Sequence, residues 1–249
     1  MSSIGYLLCG EAQSEGIAKS SLQQLMRSID AFSNRALKIL TEDASDDGMA
    51  LGPFCARVLL ENSCAALVGR IDAFRILYLS EFQAQPQYER GKRAKSAFSW
   101  FGDVIPEEKH GGDLWSVDHD LSKISRALFS RYIEHVCWQP AVERMLDYVS
   151  SKGSDANLQE IMLLSSETYV NQSKGQSQQL YSTLSKGVHW EFFNRALLFD
   201  EVTVKNAIRD TCLLVGHLGL TSHFIPTAYA SLKPDIALDA YLSFRKELP

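Results

Sequence analysis

The residues best suited to chemistry in this 249-residue chain lie in one run, Tyr181-Ser182-Thr183-Leu184-Ser185-Lys186-Gly187-Val188-His189-Trp190-Glu191-Phe192. A helix ending at Gly187 would leave Lys186, His189 and Glu191 grouped at its C-terminal end. The partial negative charge there draws an imidazole toward its protonated form. Glu191, two residues on, could orient the ring. His189 would then suit acid/base work on a phosphodiester, or it would simply cap the last helix carbonyls.

Three weaker groups accompany it. Arg90, Lys92, Arg93 and Lys95 are followed by Phe98, Trp100 and Phe101, with Tyr88 just before. Cations hold phosphates and aromatic faces stack on bases, so this interleaving suits single-stranded RNA. It equally suits a solvated helix with its aromatic side on the core, and Glu107 and Glu108 lie close by. His110, Asp113, Asp118, His119 and Asp120 could offer nitrogen and oxygen ligands to a divalent ion. Adjacent Asp-His-Asp side chains diverge, however, so the expectation is a polar loop with Asp120 capping the next helix and no metal or other cofactor. A metal-dependent hydrolase built on this loop is the third functional reading. His217 and His223 flank Gly219 at an expected helix end. The phosphate-binding P-loop, the dinucleotide glycine fingerprint, the GxSxG elbow and HExxH are absent from the sequence.

The elements that must position these groups are read from periodicity. Leu22, Leu25, Ile29, Phe32, Ala36 and Ile39 step by three and four, predicting a helix over 15–41. A second long helix is expected over 53–82, with Pro53 in its first turn. It is apolar nearly all round and so belongs at the centre of a bundle. Yet it carries Arg57, Glu61, Asn62, Arg70, Asp72 and Arg75. Buried charges must be paired, so these form either an internal network or the wall of a polar site. Glycines and prolines make 84–118 a loop-rich insertion, with one short helix near 92–101. Further helices are expected from Leu121 to Val136, from Pro140 to Val149, over 156–169, after the polar run Asn171–Gln179, over 201–218, and from Pro226 and Asp235. The expected fold is all-α: a single-domain, multi-helix bundle spanning 1–249.

Composition narrows the function classes. A net charge of −5 argues against bulk attraction to nucleic acid or anionic membrane, though a local basic patch is compatible with it. Five cysteines, odd in number and without a CxxC pair, suit a reducing cytoplasm. Leu7-Leu8-Cys9-Gly10 superficially fits a lipoprotein cleavage box, but no basic residue precedes it and the apolar run is short, so no signal peptide is expected. No uninterrupted apolar run reaches membrane-spanning length. A cytosolic protein without a membrane partner is the expectation.

The central helix reading Arg57-Val-Leu-Leu-Glu61-Asn62, paired with the later Tyr-Ser-x-Leu-Ser-Lys-x-Val-His segment, resembles the HEPN-like helical proteins over roughly 55–215. These are common in prokaryotic defence and toxin–antitoxin systems. For active members the resemblance implies a metal-independent ribonuclease working as a dimer, marked by an Arg, usually a polar residue, four to six residues, then His. This sequence departs from that pattern. The nearest cation before His189 is Lys186, seven residues separate Arg209 from His217, and only three separate Arg131 from His135. Spacing decides whether cation and imidazole meet one scissile bond. The resemblance therefore implies an interaction protein that binds protein, RNA or itself without catalysis. Its alternative is a divergent ribonuclease using His189 with Lys186, Arg209 or Arg195. The candidate binding residues are Glu61, Asn62, Arg70, Arg90, Lys92, Arg93 and Trp100.

Overall fold

The computed structural model describes residues 3–42, 46–88, 97–107, 113–152, 156–189 and 200–249. Among these residues the protein is all-helical, as the periodicity predicts, and no strand occurs. A short helix, α1 (Ser3–Cys9), precedes α2 (Ile17–Thr41), which buries Leu22, Ile29, Ser33, Ala36 and Leu40 along one stripe. Gly10 ends α1 in the left-handed region at φ 65°, and its amide returns to the Tyr6 carbonyl, a common helix stop.

The expected helix over 53–82 is two helices. α3 (Asp46–Ile71) begins earlier, so Pro53 sits inside it, and α4 (Ala73–Gln83) turns back after Asp72. Asp72 leaves helical geometry at φ −126° and ψ 81°, and its carboxylate meets Arg126 at 2.7 Å. The turn is tight because Gly69 admits Ile76, whose Cδ1 would lie 2.9 Å from any added Cβ. Apolar residues run through both helices, so periodicity alone could not register the reversal. As expected, α3 is central, burying Ala56, Leu59, Leu60, Cys64, Ala66 and Leu67 completely or nearly so. By length and composition it could also cross a membrane, but 61% of the stretch is buried within the protein.

The region 121–136 departs most from its expected continuous helix. A single 3₁₀ turn at Leu121–Lys123 gives way to irregular chain, then to α5 (Arg131–Ile133), which passes through a wide turn into α6 (Gln139–Ser150). Ala127, Leu128 and Phe129 are buried consecutively, not on one helical face. The amides of Leu128 and Phe129 instead donate to the carbonyls of Asp103 and Val104, at 2.9 and 3.1 Å. Backbone pairing to a distant segment has replaced the local ladder. No helix spans 97–101, which is the described part of the short helix expected near 92–101; a wide turn at Trp100–Val104 stands there.

After α7 (Ala156–Met162), which ends sooner than expected, comes α8 (Tyr169–His189). It contains the whole polar run that was expected to precede it, and it continues past Gly187. Its inward residues are Tyr169, Val170, Ser173, Ser177, Leu180, Leu184 and Gly187. Serine and glycine supply part of that face, so an apolar pattern underreports it. α9 (Glu201–Ser222) starts at Asp200, whose carboxylate accepts the Thr203 amide at 2.8 Å. It too runs past the expected stop at Gly219. That glycine lets α1 approach: a Cβ there would lie 3.1 Å from Leu7 Cγ. Gly219→Val is expected to lower stability by about 1–3 kcal/mol, measured as a fall in urea midpoint at unchanged m-value. Pro226 lies among turns, not at a helix start. α10 (Pro234–Glu247) is capped by Lys233, with Asp235 in its first turn and not at the cap.

Contacts fix the directions of the central helices. Gly52 abuts Val204 near the starts of α3 and α9, and Arg70 meets Ser222 near their ends, so the two run parallel. Tyr169, at the start of α8, bonds Thr221, at the end of α9, so these run antiparallel. α8 therefore brings its C-terminal half to the first half of α3.

Candidate functional site

That approach produces the first polar constellation. Arg57 on α3 donates from Nε to Glu61 at 3.1 Å, from Nη1 to Ser185 Oγ at 2.9 Å, and from Nη2 to the Tyr181 hydroxyl at 3.0 Å. Its guanidinium carbon also lies 4.6 Å from the Tyr181 ring centroid. On Tyr181 stacks Trp100, with centroids 4.3 Å apart and planes inclined by 8°. The central helix and the 181–189 segment thus meet, with Arg57 as the joint.

Trp100 is positioned by its wide turn. The Ile105 amide returns to the Trp100 carbonyl at 2.9 Å, and Gly102 takes φ 111°, a conformation that favours glycine. Asp103 anchors the turn: both its oxygens accept from Arg75, at 2.8 Å each, and Oδ2 also takes the Ser99 amide. Trp100 itself is only 6% exposed and has one face covered by Tyr181. It packs inward, while its neighbour Phe101 is 53% exposed. Arg90, Lys92 and Arg93 lie outside the described residues, as do Glu191, Arg195 and His110.

Glu61 and Asn62 face a slot of about 380 Å³ between α2, α3 and α4. Asn62 is held by its Nδ2 bond to Ser28 Oγ at 2.8 Å. Arg75 and Phe98 complete the far side.

Arg70 is placed elsewhere, at the end of α3, where it is 1% exposed. A guanidinium has five N–H bonds, and here each has an acceptor. Nε reaches the Tyr229 carbonyl at 3.0 Å; Nη1 reaches Ser222 Oγ at 2.5 Å and the Leu8 carbonyl at 3.4 Å; Nη2 reaches His223 Nδ1 at 3.0 Å and Ser231 Oγ at 3.1 Å. All five acceptors are neutral. The C-terminal ends of α1, α3 and α9 converge on the cation, supplying partial negative charge in place of a carboxylate. Burial nevertheless lowers the Arg70 pKa to about 10. His223 Nδ1 also accepts the Leu232 amide at 3.0 Å, so its proton resides on Nε2, which donates to the Leu7 carbonyl at 2.6 Å. The sequence placed His223 near a helix end but carried no sign that Arg70 was its partner.

The remaining candidates are dispersed. His189 is exposed at the last position of α8, with Lys186 in the same turn. Arg209 is exposed on α9, and its Nη2 donates to the Pro249 carbonyl at 3.0 Å. Counting from the Tyr169–Thr221 contact at 1.5 Å per residue, His189 lies about 30 Å along α8 and Arg209 about 18 Å along α9. The structure therefore does not bring the two side by side. His217 is largely enclosed beside Tyr241, and burial with nearby Arg245 lowers its pKa to about 4. His119 Nδ1 and the Leu114 carbonyl both bond the Tyr132 hydroxyl, at 2.7 and 2.5 Å. Asp120 caps its own turn through Ser122, as expected. Among the described residues no cluster of three or more metal-ligating side chains occurs.

One surface feature escaped the sequence reading. Phe74, Tyr78 and Phe82 recur every four residues on α4, and Tyr88 continues the row. Successive ring centroids are 6.1, 6.2 and 6.2 Å apart. Phe74 is 66% and Tyr78 44% exposed. The i, i+4 spacing was visible, but on a helix apolar all round it could not be assigned to the outer face.

No family model matches the chain, and neither a curated protein nor a solved structure matches it significantly.

Proposed function

We propose that this chain is a helical interaction protein of the HEPN-like kind that binds single-stranded RNA and does not cleave it. The observation that carries the reading is the aromatic row Phe74–Tyr78–Phe82–Tyr88, in which Phe74 and Tyr78 are exposed and Phe82 and Tyr88 half-buried. Exposed rings give bases sequence-tolerant stacking surfaces. In the sequence, Tyr88 and Glu89 are followed by Arg90, Lys92, Arg93 and Lys95, four cations within six residues. They would supply the phosphate contacts that an overall net charge of −5 does not. The departure of the Arg-to-His spacing from that of active HEPN-like members supports binding over catalysis, because spacing decides whether cation and imidazole meet one scissile bond. The family resemblance extends the proposal to a dimer in a prokaryotic defence or toxin–antitoxin system. All five cysteines are free and buried, which supports a cytosolic setting.

The test is fluorescence anisotropy with a labelled oligouridine. Phe74→Ala/Tyr78→Ala is expected to weaken binding by roughly tenfold or more, since each stack contributes about 1–3 kcal/mol. Both side chains are exposed, so the fold should tolerate the change. Equal affinity of parent and variant, or no binding at low salt, would overturn the RNA reading. Loss of a concentration-dependent increase in mass in the same variant would assign the row to a protein partner, a second copy of this chain.

A further inference from the structure

The slot between α2, α3 and α4 lies on the opposite side of α4 from the aromatic row. Arg75, Ile76, Leu79 and Gln83 face it, whereas Phe74 and Tyr78 point outward. Its floor is α3, where Ala65 and Gly69 keep the side chains short. At about 380 Å³ it falls within the range of small-molecule sites, about 300–1,000 Å³. Eight of its fifteen lining residues are polar or charged, so it offers hydrogen-bonding groups beside an apolar surface. Leu25, Val68, Ile76, Leu79 and Phe98 give the apolar surface, and Glu61 and Arg75 are its two charged groups.

Glu61 is the acidic one. Its Oε1 accepts from Arg57, which is itself held by Ser185 and Tyr181, while Oε2 has no hydrogen-bond donor among the described residues. Arg75 is the basic one, and its Nε and Nη2 are committed to Asp103 and the Ala97 carbonyl. Its Nη1 has no hydrogen-bond acceptor among the described residues. Both charges are already balanced, Glu61 by Arg57 and Arg75 by Asp103. A ligand carrying net charge would therefore leave that charge uncompensated in a half-enclosed site. What the lining matches is a molecule without net charge, with an apolar body, N–H donors for Glu61 and an acceptor for Arg75.

We propose that the slot binds an uncharged heterocyclic molecule of nucleoside size that presents an N–H donor edge to Glu61. Guanosine has this chemistry, with adjacent ring and exocyclic N–H donors on one edge and carbonyl and hydroxyl acceptors elsewhere. The proposal is independent of the RNA reading, since it uses the other face of α4.

The experiment is titration of the full chain with guanosine, followed by chemical-shift perturbation of the Ile76 and Leu79 methyl groups. Saturable shifts are expected for guanosine. Guanosine monophosphate, with the same base and added charge, is expected to bind more weakly. Glu61→Gln replaces one acceptor oxygen by a donor and is expected to weaken binding roughly tenfold or more. Ala65→Leu fills the floor from a partly exposed position and is expected to abolish binding while thermal unfolding stays cooperative. Phe74→Ala should leave the titration unchanged, which separates this site from the aromatic row. Absence of saturable shifts at millimolar guanosine would overturn the proposal, as would unaltered affinity in a folded Ala65→Leu protein or in Glu61→Gln.

Discussion

Arg70→Met is expected to destabilise the protein by about 2–4 kcal/mol, the cost of leaving several buried neutral acceptors without their donor. Methionine fills much of the volume but donates nothing. The carbonyls of Leu8 and Tyr229, the hydroxyls of Ser222 and Ser231, and one of the two bonds to His223 Nδ1 would all lose their donor. Each buried acceptor left unpaired costs about 1–3 kcal/mol before relaxation. The turn carrying Tyr229 also holds Ala230 in the left-handed region at φ 59°, a conformation that disfavours side-chain-bearing residues. Arg70 is what secures that turn to α3, through its own carbonyl as well as its side chain. Arg70→Lys should recover only part of the loss, because three donors on a flexible stem cannot occupy a five-point planar fork. Urea unfolding gives the magnitude. Hydrogen exchange should show α1 and the 224–232 turn losing protection first. An Arg70→Met protein as stable as the parent would refute the role assigned to this centre.

The second large effect is expected from pH. His223 is buried and His217 largely enclosed, both in the neutral form, with pKa values below the ordinary value near 6.5: His217 at about 4, His223 well below normal. The first cause in each is burial; Arg245 adds to it at His217 and Arg70 at His223. Protonating His223 would also remove the acceptor that takes Arg70 and the Leu232 amide, and would set two cations 3.0 Å apart. The unfolded chain binds these protons near pH 6.5 and the folded chain does not, so stability is lost as pH falls below about 6.5. The His217 contribution levels off near pH 4 and amounts to at most about 3 kcal/mol. Asp210 and Glu247 act in the opposite sense, since burial raises their pKa values and acid then favours the folded state. Urea unfolding between pH 7 and pH 4.5 checks the sign. His217→Leu should reduce the slope by up to about 1.4 kcal/mol per pH unit, the equivalent of one proton. An unchanged slope would remove His217 from the account.

Both effects concern residues noticed in the sequence for other reasons. Arg70 shares α3 with Glu61 and Asn62, and the sequence leaves open whether the charges of that helix form an internal network or the wall of a polar site. In the structure Asn62 faces the slot beneath α2 and α4, whereas Arg70 is enclosed by α1, α9 and the 222–231 turn. Local spacing reports which residues share a helix face. It does not report which neighbour covers each part of that face, and for α3 the cover changes along its length.

The sequence by itself determined the helical class, the amphipathic stripe of α2, the central place of α3, and the presence of charges there that require partners. Those follow from periodicity and from the free-energy cost of burying unpaired polar groups, which are properties of the chain alone. Only the tertiary structure decided the rest. It broke the 53–82 helix at Asp72, turned the apolar stretch at 127–129 into backbone pairing, and carried α8 and α9 past Gly187 and Gly219. Gly219 shows the reason most plainly. A glycine reads locally as a helix stop, yet here it serves the close approach of α1, and that requirement exists only once distant helices are packed together. The same holds for Arg57, whose i, i+4 partner Glu61 was legible. Its two further partners, Tyr181 and Ser185, come from α8, more than a hundred residues away.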